Sequence, residues 1–364
     1  LTATGDDPRR LLTQILAWLE RIDPGANRRV KGLRLVTAYG IAAMLGTLGA
    51  IKHGLPSGAS LSSLAGGLAL WGSIYEAQST RAKSARDLAL FSVAAVCGAY
   101  FFILLTPVLS GPHRPGPELS MVPAAFLVGY LRRYGILGTG IGSQVFMGAL
   151  LAAFAKLQPE DLGMVAVAGI IAAIASIVPR LLSGPAEHPI PMPDVPASPG
   201  WTSVEMIMGM QAAVAAAVIT ALSAIFNLVE SIWAITACTY VVANSTELTL
   251  KRIRHRAIGT AIGVPLGIAL VTILPHAAIF IWVLAAFAIM IYAMALPERY
   301  DIACGAYAFT LIITLAVSGE NSIFFLASRL WETLVGGVLG LTIALYVVPQ
   351  RKPGTARRKQ IGSR

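Results

Sequence analysis

The sequence predicts an all-α polytopic membrane protein of about twelve transmembrane helices. It arranges them as two parallel six-helix repeats (6+6), related by a pseudo-twofold axis along the membrane normal. Three observations predict this. Of the 364 residues 56% are hydrophobic and 13% charged, with a mean hydropathy of +0.71, whereas soluble domains carry nearer a quarter charged residues. The apolar residues come in blocks of roughly 17–22, enough helix to cross about 30 Å of hydrocarbon. Short signatures also recur at a nearly constant offset. Arg133-Tyr134-Gly135-Ile136 and Arg299-Tyr300-Asp301-Ile302 each open an apolar run, and Val178-Pro179 and Val348-Pro349 each close one. Basic turns end at Arg86 and at Arg256.

Residues 1–32 form a basic arm that is amphipathic rather than apolar, so no cleavable signal peptide is expected. The first repeat occupies 33–182, with spans at 33–51, 59–77, 87–108, 119–131, 136–156 and 162–181. Residues 183–200 hold prolines at 185, 189, 191, 193, 196 and 199, which exclude helix and predict a stiff linker. The second repeat occupies 201–349, with spans at 203–225, 230–246, 257–274, 277–296, 302–318 and 323–348, and 350–364 is a basic tail. Pro265, between Gly263 and Gly267, predicts a kink in the ninth span.

The net charge of +10 is topological. Of the 28 Lys and Arg, all but Lys52, Arg114, Lys156 and Arg329 fall on one side of this span map. The positive-inside rule then places both termini in the cytoplasm of an inner-membrane protein, and no nucleic-acid partner is expected. With an even number of spans per half, both halves enter from the same side, so the repeats are parallel.

Polar groups at membrane depth are costly and mark candidate sites. The last span opens with Arg329 and Glu332, sharing a helix face with Thr333, Gly336 and Gly340. That face reads as an anion-attracting or proton-responsive element, or as an interfacial ion pair anchoring a tightly packed helix. Tyr75-Glu76 precedes Arg81, and Asn244 with Glu247 precedes Lys251, Arg252 and Arg254. Arginines there would concentrate an anion while the carboxylates titrate or close the path. Ordinary charge pairing at the interface is the alternative. Gln144 and Thr310 occupy equivalent midplane positions, and Gln211, Asn227, Tyr240 and Thr37 add hydrogen-bonding capacity. Trp71, Phe101, Phe102, Phe146, Tyr307 and Phe309 could stack on a planar substrate. The repeats are not equal: Asp301 aligns with Gly135, and Arg329 and Glu332 with Pro159 and Leu162. The substrate and pore candidates are therefore Arg81, Arg252, Arg254, Gln144, Thr310, Tyr75 and Asn244. The coupling and gating candidates are Glu76, Glu247, Arg329, Glu332 and Asp301.

No catalytic spacing of Ser, His and Asp occurs, and no Walker A sequence. Cys97, Cys238 and Cys304 lie inside spans without ligand spacing and the five histidines are scattered, so neither cofactor nor metal is expected. The loop motif of major facilitator transporters is missing.

Two stretches resemble the fusaric acid resistance family, which includes the aromatic acid exporters. One runs from Lys251 to Thr260, with Gly263 and Gly267; the other is Arg329-x-x-Glu332-Thr333 with Gly336-Gly337, ending at Pro349. The Glu298-Arg299-Tyr300-Asp301 turn fits the same pattern. The resemblance implies export of small organic, often aromatic, carboxylates driven by the proton motive force, with no enzymatic step. It also implies kinship with aluminium-activated malate channels. The proline linker departs from the large cytoplasmic domain that many of these exporters carry between their halves. The reading is thus an exporter of organic anions in a lipid bilayer. A passive anion channel and a scaffold subunit docking cytoplasmic partners are the alternatives. A second copy of the chain or an accessory efflux subunit stays open as a partner.

Overall fold

The computed structural model describes residues 13–14, 17–21, 23–48, 60–77, 80–111, 114, 116–183, 204–226, 231–243, 245–274, 278–296, 298–317 and 322–347. The start of the N-terminal arm, the linker beyond Ser183, the basic tail, Asn227 and Asn244 lie outside the described residues. Helices run over Asn27–Thr47 (α1), Leu61–Ile74 (α2), Arg81–Leu109 (α3), Met121–Tyr130 (α4), Gly135–Phe154 (α5) and Leu162–Leu182 (α6). They continue over Val204–Phe226 (α7), Ser231–Val241 (α8), Thr246–Ile273 (α9), Ala278–Ala295 (α10), Tyr300–Val317 (α11) and Ile323–Thr342 (α12). A π turn over Ile343–Val347 follows α12. No strand occurs among the described residues.

Among the described residues, six helical segments are long and apolar enough to cross a membrane: Arg81–Leu109, Pro117–Phe154, Pro159–Leu182, Val204–Phe226, Glu247–Ile273 and Leu326–Val347. This is a multi-pass membrane protein. Two expected spans are shorter than the sequence suggests, because α2 has 14 residues and α8 has 11. At 1.5 Å per residue they reach about 21 and 17 Å, short of the hydrocarbon thickness. Each stops where its backbone is diverted. After Tyr75 the chain turns to bury Glu76, and after Val241 the Thr249 hydroxyl accepts from the Ala243 amide at 3.1 Å. Local chemistry sets the starts as well. Ser60 caps α2 by accepting from the Ser63 amide, and Ser245 caps α9 by accepting from the Leu248 amide at 3.2 Å. Pro265 lies inside α9, which is helical on both sides of it.

The helices pack in the same order in each half. In the first, α1 meets α2 and α6, α2 meets α6, α3 meets α5 and α6, and α4 meets α5. In the second, α7 meets α8 and α12, α8 meets α12, α9 meets α11 and α12, and α10 meets α11. Across the halves α4 packs on α7, and α1 on α10. One apolar core containing Leu68, Phe102, Phe146, Ile219 and Ile235 joins the first half to α7 and α8, and separate clusters around Ile312 and Ile313 pack α9 to α12.

Without a hydrophobic driving force between helices in lipid, close approach depends on small residues. A Cβ on Gly148 would overlap the Ala95 carbonyl, and one on Gly98 the Val145 carbonyl, so α3 and α5 cross backbone to backbone. The corresponding α9–α11 crossing sets Gly259 and Gly263 against Gly305. Gly148→Val is expected to lower the melting temperature in detergent sharply, the overpacking costing about 1–3 kcal/mol or more. Gly40, with open space around it, is expected to accept alanine with unchanged or raised stability.

Candidate functional site

A cavity of about 540 Å³ opens between the halves, within the size range of small-molecule sites. Arg28 and Lys31 of α1, Trp71 of α2, Tyr75 just beyond it, and Arg132 of the Leu131–Tyr134 turn line it from the first half. From the second half come Tyr240 of α8, Lys251, Arg252, His255 and Arg256 of α9, Tyr292 of α10, and Tyr300, Cys304 and Tyr307 of α11. Two short helices, α2 and α8, hold corresponding places in the packing order and deliver Tyr75 and Tyr240 at their C-terminal ends. Shortened helices in matching positions of two halves are a pointer to a binding site.

The charge in this cavity is one-sided. Six cationic side chains line it: Arg28, Lys31, Arg132, Lys251, Arg252 and Arg256. Among the described residues Glu298 is the only lining carboxylate, and Arg28 already holds it, with Nη1 at 3.3 Å from Oε2 and Nη2 on Oε1. Arg132 and Arg252 come from opposite halves and lie close enough to repel each other, beside the Tyr75 and Tyr240 hydroxyls. Arg252 donates through Nη1 to the Val242 carbonyl at 3.0 Å. The Nε atoms of Arg132 and Arg256 are buried without a hydrogen-bond partner. Clustered guanidiniums, two of them with an unsatisfied Nε, form a site that an anion would complete. The walls are aromatic: Trp71 meets Tyr307 edge-on at 5.4 Å between centroids and Tyr292 at 6.4 Å.

Residues 211–343 match the family described as fusaric acid resistance protein-like. No curated protein and no solved structure matches the chain. The fusaric acid resistance-like segment starts inside α7 and ends at the π turn, so it holds the whole second-half wall of the cavity. Arg28, Lys31, Trp71, Tyr75 and Arg132 close the cavity from outside that segment. The family match and the membrane helices together make this a multi-pass membrane protein consistent with a transporter or exporter.

Of the residues singled out in the sequence, Tyr75, Arg252, Tyr240, Trp71 and Tyr307 line the cavity together. Arg81 instead donates to the Ser183 carbonyl at 2.6 Å, and Arg254 is exposed on α9. Gln144 is fully buried in α5 with neither amide atom hydrogen-bonded. Thr310 donates to the Ala306 carbonyl within α11. Glu247 is exposed in the first turn of α9. Asp301 pairs with Arg299 at 3.0 Å. Asn244 lies outside the described residues.

Glu76 and Arg329 each have a different setting. Glu76 accepts from Arg180 Nε at 2.9 Å, from the Ser84 hydroxyl, and from Arg34 Nη1 at 3.5 Å, while its own carbonyl accepts from Lys31 Nζ at 3.2 Å. Glu76 is 4% exposed and Arg180 2%. The cluster ties α1, α3 and α6 to the end of α2. Arg329 lies with its guanidinium carbon 3.5 Å from the centre of the Trp233 ring and 5.6 Å from that of Phe154. It borders a smaller space of about 30 Å³ with Thr260, Val264 and Thr333. Glu332 is buried one turn along α12.

Arg132, Arg256, Lys31, Tyr292 and Tyr300 belong to the cavity, yet the sequence presents them mainly as topological charge and apolar filler. The signals that could find them are the shared Arg-Tyr turns and the i, i+4 spacing of Arg252 and Arg256.

The Arg28 hydrogen bonds and charge hold the Glu298 carboxyl below its ordinary value. A depressed carboxylate pKa stabilises the folded form above the ordinary carboxylate range, and that gain is lost as pH falls through the lowered value. Glu298 is exposed, so its weight in stability is small. At pH 7 Glu298→Gln is expected to tighten binding of an organic anion about 2- to 5-fold, the worth of an exposed ion pair. Titration calorimetry checks this; weakened binding would contradict it.

Proposed function

We propose that the protein exports small organic anions, above all aromatic carboxylates, across the inner membrane, with twelve spans in two parallel six-helix repeats and both termini cytoplasmic. The observation that carries the reading is the meeting of Arg132, from the first half, and Arg252, from the second, on the lining of one aromatic-walled cavity. A carboxylate there would meet two guanidiniums and the phenols of Tyr75 and Tyr240, and its ring would lie against Trp71, Tyr292 and Tyr307. The matching order of helix packing in the halves supports the repeat, and the cavity at their junction lies where repeat interfaces bind substrate.

Binding to the protein in nanodiscs tests the substrate class. Benzoate should bind at least ten times more tightly than benzamide, because the charge-assisted contacts are worth roughly 1.5–3 kcal/mol. It should also bind a few-fold more tightly than cyclohexanecarboxylate, since aromatic pairs add about 0.5–1.5 kcal/mol. Equal affinities for benzoate and benzamide would end the reading.

Proton-driven export is the mode we propose, with His255 and Glu298 on the cavity lining beside the cations. A passive channel is the second reading, because the one lining carboxylate is already held by Arg28. Proteoliposome flux separates them. Coupled export accelerates several-fold under an imposed pH gradient, and passive conduction follows the anion gradient and voltage alone.

A further inference from the structure

We propose that Arg329 and Thr333 of α12 form a second anion station beyond the main cavity, reached along one ridge of α9 past Tyr307. The proposal rests on the reading of the main cavity as an anion site. Leu248, Arg252, Arg256, Thr260 and Val264 follow one another at steps of four along α9, and such residues form a continuous ridge on a helix. The first three border the main cavity and the last three the small space beside Arg329, with Arg256 common to both. From Leu248 to Val264 the ridge rises about 24 Å, most of the hydrocarbon thickness. Cys304 and Tyr307 of α11 also border both spaces, so the two are separated by a side-chain wall rather than by a helix.

Charge and size fit a station rather than a second substrate pocket. The small space, about 30 Å³, has room for a group near the size of a water molecule and not for an aromatic ring. An anionic headgroup could enter it while the ring stays behind Tyr307. Passage of the ring requires Tyr307 to swing, which makes that residue the partition. Arg329 stacks on Trp233 and borders this space, so its positive charge lies beside it. Thr333, one turn along, brings a hydroxyl to the same space. An anion leaving Arg132 and Arg252 would thus find Arg256 next and Arg329 after it. The path is asymmetric, following the second half rather than the axis between the halves.

Cysteine modification tests this. In a Cys97→Ser, Cys238→Ala, Cys304→Ala background, Thr333→Cys is treated with sulfonatoethyl methanethiosulfonate and with its trimethylammonioethyl counterpart. We expect the anionic reagent to react at least ten-fold faster, the preference to persist in Arg329→Lys and to vanish in Arg329→Gln, and Tyr307→Ala to raise both rates. No labelling by either reagent once Tyr307→Ala is added, or a preference that Arg329→Gln leaves untouched, overturns the station. Benzoate binding and flux in otherwise wild-type protein give a second readout that does not need the Cys background. Arg329→Gln should leave equilibrium binding within two-fold and cut flux at least ten-fold. Unchanged flux with intact binding sinks the station alone, whereas absence of benzoate binding in the wild type sinks the reading of the main cavity beneath it.

Discussion

Arg132→Gln is expected to weaken binding of an aromatic carboxylate by roughly 10- to 150-fold while raising the melting temperature of the ligand-free protein. The two effects share one cause. Arg132 and Arg252 line the same cavity from opposite halves, and the Arg132 Nε is buried without a hydrogen-bond partner. In the empty protein this arrangement costs free energy, through like-charge repulsion and an unsatisfied donor. With an anion between them the same groups become two charge-assisted donors, each worth about 1.5–3 kcal/mol. Removing one therefore relieves the empty state and injures the bound one. Arg252→Gln should show the same loss of binding with a smaller gain in stability, because it also breaks the hydrogen bond to the Val242 carbonyl. Arg132→Lys keeps the charge but not the fork, and should recover part of the affinity. The double glutamine variant should lose less than the sum, since both arginines serve one ligand. Differential scanning fluorimetry with and without benzoate reads both effects in one experiment. A purely structural Arg132 would give the opposite sign: a lower melting temperature and unchanged affinity.

Membrane helices were legible because lipid imposes length and composition on any segment that crosses it. Thus α3, α6, α7 and α9 could be placed from hydropathy and basic flanks alone. The shortness of α2 and α8 could not, because Glu76 and Thr249 end those paths through contacts with α6 and with the next helix start. Tyr75 and Arg252 stood out because each borders a charge cluster in the sequence. Arg132 and Arg256 carry the same charge but sit in turns and flanks where the positive-inside rule already explains a cation. Only the meeting of the halves distinguishes a topological arginine from a lining one. Gln144 is the converse case: a buried amide at an equivalent position in α5, away from the cavity lining.

Glu76→Gln is expected to leave little folded protein, and the contrast with Glu247→Gln separates holding from gating. The Glu76 carboxylate meets Arg180, Arg34 and Ser84, and the Arg180 guanidinium it neutralises is almost wholly buried. Removing one partner of a buried pair costs about 3–5 kcal/mol, because the other charge remains without compensation. Set against a net stability of about 5–15 kcal/mol, that is a large fraction of the total. The cost should fall when Arg180→Gln is added, and the difference across the double-mutant cycle measures the coupling. Glu247 likewise precedes a basic cluster in the second half but is exposed in the first turn of α9. Its substitution should change the melting temperature by no more than a degree or two, as for surface changes within about 0.5 kcal/mol. If Glu76→Gln instead melts normally and alters only the pH dependence of flux, the residue titrates during transport and the cluster around it opens. Its burial beneath two arginines and a serine argues for the first outcome. The first half would then be the fixed frame, against which the cation-lined second half moves the anion.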